Sequence, residues 1–223
     1  MSEDPAIPSY RTHRVMQVLR SDRPAIAEML ATAFRDDPLS RWIYRDHPSR
    51  LRWVRADFRL RLAQHAADGL TYMTDDGSGA AVWAAPGAWK GHPTGQLRTL
   101  SALVRVARNH ERIGAIQREL DRRHPAASHL YLALLGVAEE RRHEGIGGAL
   151  LAPTLMLADE RALPCYVEAG SHDAAAFYAT LGFALHGEVK LPGAPTVYLM
   201  WREPRRPGDD ADAPPVDGQG DPA

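Results

Sequence analysis

The chain has 223 residues, 44% of them hydrophobic and 25% charged, which is enough length and apolar content for a packed globular core. The net charge of −1 gives no general electrostatic reason to bind nucleic acid or an anionic membrane. The single cysteine, Cys165, excludes an internal disulfide, no apolar run is long enough to span a bilayer, and residues 1–10 lack a secretory signal, so we predict a cytoplasmic protein.

Three segments are predicted along the chain: a flexible start at 1–14, one domain at 15–202, and a tail at 203–223. The tail consists mostly of Pro, Gly, Asp and Ala. It offers too little apolar surface to offset the entropy lost on ordering, so we predict that it is disordered.

The first half of the domain mixes helix and strand patterns. Asp22 offers a helix cap, Pro24 suits a first helical turn, and Asp36-Asp37-Pro38 ends that helix. The polar run from Asp75 to Gly79 is typical of a hairpin turn. The predicted elements are a strand over 15–20, a helix around 26–34, a helix over 50–66, strands over 70–74 and 80–85, and helices over 94–107 and 110–122.

The second half alternates more regularly between strands and helices. The apolar run that ends at Val137 has the length of a buried strand, and Gly182 closes a short helix. The predicted elements are a strand over 129–137, a helix over 144–161 that contains Pro153, a strand over 164–168, a helix over 172–181, and strands over 183–189 and 196–201.

Three glycines open the helix that follows Val137. Gly145, Gly147 and Gly148 leave backbone N–H groups uncovered at a helix start, which favours an anion such as a pyrophosphate. A nucleotide P-loop is excluded because no Lys-Ser or Lys-Thr is present, and a dinucleotide fingerprint is disfavoured because Leu150 stands at its last glycine position. On the glycines alone, a helix start without any ligand stays an open alternative.

Two motifs carry a family resemblance. The segment Arg142–Gly147 (RHEGIG) matches the signature [Q/R]xxGx[G/A], and the segment Phe177–Phe183 (FYATLGF) matches FYxxLGF, some thirty residues later. With these motifs the chain resembles the GNAT superfamily of N-acetyltransferases over about 15–202. The resemblance implies an α/β fold with a twisted mixed sheet of about seven strands, helices on both faces, and a splay between the fourth and fifth strands. It also implies acetyl-CoA as co-substrate.

By this resemblance, the glycine loop binds the pyrophosphate of coenzyme A through backbone amides, and the N–H of Val137 donates to the oxyanion. Ser171 stands where many members have an asparagine that contacts the cofactor, so this contact departs from the family pattern. The implied cofactor-binding residues are Leu135, Gly136, Val137, Arg142, His143, Glu144, Gly145, Ile146, Gly147, Gly148, Ser171 and Phe177.

Acetyl transfer to an amine needs a base for the amine and an acid for the thiolate. Tyr178 resembles the family's general acid; its alternative is a core aromatic. Glu168 ends a predicted strand and is the candidate base; its alternative is a carboxylate held by backbone or an arginine. His172 is an alternative base, but its position at a helix start favours a surface residue without a chemical role.

The remaining histidines show no paired spacing on a helix, so we predict no metal site. His124, His129 and His143 are interpreted as loop residues, although His129 begins the predicted strand over 129–137. Asp37, Trp83 and Tyr131 are the predicted substrate-binding residues, with a simple helix stop as the alternative for Asp37 and a core position for tryptophan.

A looser likeness rests on Ala33-Phe34, Asp37-Pro38, Val82-Trp83, His124-Pro125, Tyr131-Leu132 and the strand Tyr198–Trp201. At these positions the chain resembles puromycin N-acetyltransferase and its actinobacterial relatives within the superfamily. This resemblance implies an aminonucleoside or other antibiotic-like amine as acceptor and a role in resistance. The alternatives are acetylation of a protein lysine or N-terminus, and a non-catalytic acyl-CoA-binding regulator. The expected partner is a small-molecule amine, without nucleic acid or membrane, and the expected state is a monomer or homodimer.

Overall fold

A computed structural model of the protein describes residues 13–45, 48–65, 69–90 and 110–205. The helix predicted over 94–107 lies outside the described residues. The same holds for most of the predicted flexible start and tail, of which only 13–14 and 203–205 are described.

Seven strands form one mixed sheet, in agreement with the predicted α/β class. The spatial order is β1-β2-β3-β4-β5-β7-β6; β4 and β5 are parallel, and all other neighbours are antiparallel. The strands are β1 (Val15–Gln17), β2 (Thr71–Thr74), β3 (Gly79–Ala84), β4 (Leu130–Val137), β5 (Cys165–Ala169), β6 (Ala184–Val189) and β7 (Val197–Arg202).

Six helices are present in the described part of the chain, and one of them was not predicted. The first helix ends at Ala33, shortly before the Asp36-Asp37-Pro38 segment that was expected to stop it, and the Asp37 carboxylate caps a second helix whose first residue is Pro38. An Asp-Pro pair serves both purposes, because Pro suits a helix start as well as a helix stop. The helices are α1 (Arg23–Ala33), α2 (Pro38–Tyr44), α3 (Arg50–His65), α4 (His110–Arg123), α5 (Ile146–Glu160) and α6 (His172–Thr180).

The helices cover both faces of the sheet, as predicted. On one face, α5 and α6 bury residues such as Leu150 and Tyr178 against Leu132 and Val167. On the other face, α1 and α3 pack on one half of the sheet, and α2 and α4 pack on the half near β6 and β7. Each strand therefore sends alternate side chains into different cores.

A β-bulge in β4 opens the sheet. Val82 of β3 pairs with Leu134, but Trp83 pairs with Leu132, so Ala133 has no partner residue in β3. Leu132 packs with α5 whereas Leu134, two residues later, packs with α1 and α3, so the bulge reverses the alternation of side chains. The parallel pairing of β4 with β5 ends at the same place, at Leu132 opposite Val167. The predicted splay between the fourth and fifth strands is confirmed, and the bulge is its local cause.

A buried ion pair ties the end of α5 to β7. The guanidinium of Arg202, only 3% exposed, donates two hydrogen bonds to the Asp159 carboxylate, at 2.7 and 2.8 Å. These bonds hold the pKa of Asp159 below its usual range. The stabilisation is fully present above the pKa of about 3.9 of an unfolded aspartate, and it is lost as the pH falls through the lower folded-state value.

Replacing Asp159 by Asn is expected to lower the free energy of unfolding at pH 7 by about 3 kcal/mol, because the buried Arg202 charge loses its partner. Urea unfolding measures this loss, and it should shrink when both proteins are compared near pH 3. Asp121→Asn is the matched control, since Asp121 is an exposed residue on α4, and it should change stability by less than about 0.5 kcal/mol. Equal stability of both variants at pH 7 would contradict the role of the pair.

Candidate active site

The opening between β4 and β5 exposes two strand edges. Beyond Leu132 and Val167 the two strands no longer pair, and within the described residues no other strand enters between them. Backbone N–H and C=O groups along such edges need partners. An extended ligand that carries amide groups can supply them in the manner of an added strand.

The loop after β4 turns sharply before α5 begins. A 3-10 turn covers Glu139–Arg141, and both His143 (φ 64°) and Gly145 (φ 83°) adopt left-handed backbone conformations. The N–H of Ala149 donates to the Gly145 carbonyl at 3.1 Å, so the N–H groups of the preceding turn are the unpaired donors of a helix start. A Cβ atom added at Gly145 or Gly148 would meet nothing within 4 Å. The helix start is therefore open to an anion.

The two arginines of this loop are engaged in holding it. The guanidinium of Arg142 donates to the Ala33 carbonyl of α1 at 2.8 Å. Arg141 donates to Asp76 at 2.6 Å and to Glu144 at 2.9 Å, and the Glu144 carbonyl accepts from His13. The donors that this loop offers to an anion are thus backbone N–H groups, and the arginine of the signature ties the loop to α1.

Gly136 and Gly147, two of the predicted cofactor-binding residues, lie where side chains from other elements pack directly on the backbone. A Cβ atom at Gly136 would lie 2.5 Å from Leu30 Cδ2, so α1 packs directly on the backbone of β4. A Cβ atom at Gly147 would lie 3.0 Å from Phe177 Cζ, so the Phe177 ring packs on the first turn of α5. Ile146 is 1% exposed and belongs to the core. The side chains of Leu135 and Val137 pack at the border of the same core.

Glu168 lies at the opening, one residue after the last β4–β5 pair. The hydroxyl of Tyr131 donates to its Oε2 at 3.1 Å, and the hydroxyl of Tyr166 donates to its Oε1 at 3.4 Å. The Glu168 side chain is 14% exposed, so it is largely buried but keeps some access to solvent. Burial, together with the negative charge of Glu168, raises the pKa of Tyr131 well above its ordinary value, so both phenols remain hydrogen-bond donors.

Two histidines extend this cluster away from the opening. His124 Nδ1 lies 3.9 Å from Glu168 Oε1, and His124 Nε2 lies 3.1 Å from His129 Nε2. The His124 ring stacks on Trp89 with 3.8 Å between ring centroids. His124 and His129 lie in the connection between α4 and β4, as interpreted from the sequence, but the His124 side chain is 2% exposed and His129 is 5% exposed, so both are buried. Only the pairing of β4 with β5 brings them beside Glu168.

Tyr178 lies on the opposite face of the sheet from Glu168. It packs with Phe177 and Phe183 in the core that also contains Val167 and Ala169, whereas Glu168 between these two residues points the other way. Tyr178 is 7% exposed, and burial raises the pKa of its hydroxyl. The structure therefore places the protonated Tyr178 phenol and the Glu168 carboxylate on opposite faces of the sheet.

Two caps meet at the carboxyl end of β5. The Asp37 carboxylate accepts from the Ser40 N–H at 2.7 Å, and one of its oxygens lies 3.6 Å from where a Cβ of Gly170 would stand. Burial raises the pKa of Asp37, although the bonds from Ser40 oppose this shift. Ser171 Oγ caps α6 by accepting from the Ala174 N–H at 3.2 Å.

Trp83 is not brought to this cluster. Its side chain is fully buried with α5, on the face opposite Tyr131, and its indole N–H has no acceptor within the described residues. His172 is an exposed residue whose ring contacts Tyr198. Over the ranges described, no group of three His, Cys, Asp or Glu side chains is arranged to hold a metal ion. Among the described helices, none is both long and apolar enough to cross a membrane.

Residues 28–183 match the family model for the acetyltransferase (GNAT) family. The fold is similar to a histone acetyltransferase HPA2 and related acetyltransferase from Corynebacterium glutamicum, with 25% identity, a TM-score of 0.63, and coverage of 88% of this chain and 98% of that one. It is also similar to arylalkylamine N-acetyltransferase 2 from Aedes aegypti, with 15% identity, a TM-score of 0.58 and coverage of 85% and 98%. A polyamine N-acetyltransferase from Drosophila melanogaster matches with 17% identity, a TM-score of 0.58 and coverage of 85% and 99%.

Proposed function

The chain belongs to the GNAT family of acetyltransferases, which use acetyl-CoA, and from this premise we propose that it acetylates the primary amine of a small molecule. The observation that carries the proposal is the opening between β4 and β5, with Glu168 on one face and Tyr178 on the other. A thioester lying in this opening has a proton acceptor on one side and a proton donor on the other.

The proposed cofactor site has two parts. The start of α5, with Gly145 and Gly148, receives the diphosphate of coenzyme A on unpaired N–H groups. The free edge of β4 receives the amide-containing arm, and the N–H of Val137 is the proposed donor to the carbonyl oxygen of the acetyl group. Arg142 supports this site from behind through its bond to Ala33.

The proposed reaction is direct attack of the amine on the thioester. Glu168 takes a proton so that the nitrogen lone pair is free, and a C–N bond forms as the C–S bond breaks. Tyr178 donates its hydroxyl proton to the leaving sulfur and regains a proton afterwards. The net reaction of a protonated amine with acetyl-CoA yields the amide, free thiol and one proton.

A small cationic acceptor is supported by the residues around Glu168. Asp37 and Glu168 place two carboxyl groups near the carboxyl end of β5, and Tyr131, Tyr166 and Trp89 surround Glu168 and His124 with aromatic rings. Carboxylates and aromatic rings both favour a cation. The sequence likeness to puromycin N-acetyltransferase makes an aminonucleoside or related antibiotic the first acceptor to test.

A thiol-release assay with acetyl-CoA tests the function. The panel should contain aminonucleosides, polyamines, arylalkylamines and peptides with a free lysine or N-terminus, with mass spectrometry of the products. Acetylation of a small amine supports the proposal, and exclusive acetylation of peptides favours the protein-modifying alternative. Binding of acetyl-CoA without turnover of any amine would favour the non-catalytic regulator.

Replacing Glu168 by Gln is expected to lower kcat about 100-fold, because the isosteric amide cannot accept a proton. The affinity for acetyl-CoA, measured by calorimetry, should not change. Glu160→Gln, at an exposed position at the end of α5, is the control and should retain full kcat. An unchanged kcat in the Glu168 variant would exclude Glu168 as the base.

A further inference from the structure

A line of four groups runs from the connection before β4 to the opening of the sheet. The carbonyl of Ala127 lies 2.7 Å from His129 Nδ1, the two Nε2 atoms of His129 and His124 lie 3.1 Å apart, and His124 Nδ1 faces Glu168 Oε1 at 3.9 Å. His124 Nδ1 is buried and has no hydrogen-bond partner within the described residues. A buried imidazole nitrogen without a partner beside a carboxylate calls for a chemical explanation.

The hydrogen bonds determine where the ring protons lie. A carbonyl oxygen only accepts, so His129 Nδ1 carries a proton. Burial lowers the pKa of His129, which favours its neutral form and leaves its Nε2 as an acceptor. His124 must then donate from Nε2, and the neutral His124 ring has its lone pair on Nδ1, directed at Glu168.

In this arrangement the lone pair of His124 Nδ1 and the ionised Glu168 carboxylate face each other, and no proton lies between them. We propose that His124 is a second proton acceptor behind Glu168, which takes over the proton that Glu168 removes from the amine. His124 acts through Glu168 and does not touch the substrate. The inference rests on the proposed acetyl transfer and on Glu168 as its base.

The proton balance of the reaction gives this acceptor a purpose. An ammonium substrate loses one proton before attack, and the nitrogen loses a second one after the C–N bond has formed. With one proton moved from Glu168 to His124 Nδ1, Glu168 is again a carboxylate and can take the second. One of these protons replaces the one that Tyr178 gives to the thiolate, and the other leaves to solvent.

The surroundings of His124 leave few other partners. Trp89 covers one face of the ring, and Tyr131 and Tyr166 meet it edge to face, with 5.4 and 5.0 Å between centroids. Both phenols donate to Glu168, and the cation that acts on Tyr131 is Arg61, which is paired with Asp57 at 3.0 Å. The titratable groups that face His124 directly are therefore Glu168, His129 and the two tyrosines.

Nitrogen-15 NMR of the histidine rings in the substrate-free protein tests the proton positions without any acetyl transfer. We expect neutral His124 to carry its proton on Nε2 and neutral His129 to carry its proton on Nδ1. A neutral His124 with its proton on Nδ1 would overturn the proposal, whatever the protein acetylates.

Kinetics of two variants test the same idea from different sides. His124→Gln keeps a hydrogen-bond donor for His129 but removes the proton acceptor that His124 Nδ1 provides. It should lower kcat about tenfold, and it should remove one ionisation from the acidic limb of the pH profile of kcat/KM. His129→Phe keeps the His124 ring but removes the acceptor of its Nε2 proton. The proton of His124 can then lie on Nδ1 and be donated to Glu168, so the acidic limb of the kcat/KM profile should change in this variant as well. KM for acetyl-CoA should stay constant in both.

His186→Gln is the control, since His186 is an exposed residue on β6, and its pH profile should match that of the wild-type protein. A loss of kcat in the His124 variant with an unaltered pH profile would reduce His124 to a structural residue. Absence of turnover in the wild-type protein would contradict the proposed function, whereas the NMR result would still decide the proton positions.

Discussion

Replacing Tyr178 by Phe is expected to lower kcat about 100- to 1000-fold while the affinity for acetyl-CoA stays the same. The substitution removes one hydroxyl and keeps the ring that packs on Phe177 and Phe183. Without this proton donor the sulfur must leave as a thiolate. Single-turnover kinetics with acetyl-CoA and an accepted amine measure the effect, and calorimetry measures the affinity.

The pH dependence follows from the environment of Tyr178. Burial raises the pKa of its hydroxyl above that of a free tyrosine, so the acid keeps its proton throughout the neutral and mildly alkaline range. We expect no loss of kcat from deprotonation of Tyr178 below about pH 10. Tyr72→Phe on β2 is the control and should keep full kcat. If the Tyr178 variant also kept full kcat, Tyr178 would be a core aromatic only.

Replacing Gly148 by Glu is expected to weaken acetyl-CoA binding about 100-fold while the protein becomes slightly more stable to heat. Gly148 is the third residue of α5, and a Cβ there meets nothing within 4 Å, so the side chain fits. A glutamate at this position stabilises a helix start and can accept from the N–H of Gly145. It thereby occupies the donors that the diphosphate needs and adds a repelling charge.

Gly148→Ala separates these two effects. It should stabilise α5 by up to about 1 kcal/mol, because alanine favours a helix over glycine, and it should leave the acetyl-CoA affinity within a few-fold. The difference in affinity between the Glu and Ala variants should shrink at high salt. Calorimetry and thermal unfolding measure both quantities. Undiminished binding in the Glu variant would exclude the start of α5 as the diphosphate site.

The local parts of the molecule were predictable from the sequence. Strands and helices from Leu130 onward lie within about two residues of their predicted bounds, because apolar periodicity and caps act over a few residues. The strand predicted over 15–20 ends at Gln17, where its pairing with β2 ends, and such an end depends on a partner and not on local pattern. The glycine loop and its open helix start were equally visible, since their conformation follows from residue type.

The faces on which side chains lie depend on register, which local sequence does not contain. Trp83 pairs with Leu132 and Ala84 pairs with Tyr131, so Trp83 enters the core with α5 and Tyr131 reaches Glu168. A shift of one residue would exchange these positions. The bulge at Ala133 changes which face of the sheet the later side chains of β4 occupy, and the residue pattern of the strand does not predict it.

The sequence by itself determined the α/β class, the family and the glycine-rich loop that we propose for the cofactor, because these depend on short-range patterns and on two motifs. Only the tertiary structure decided that Arg142 supports α1 and that His124 and His129 stand behind Glu168. Arg142 lies 109 positions from Ala33 along the chain. The approach of His124 and His129 to Glu168 depends on how the parallel strands β4 and β5 align. Such long-range contacts follow from the register of the whole sheet, which no single segment encodes.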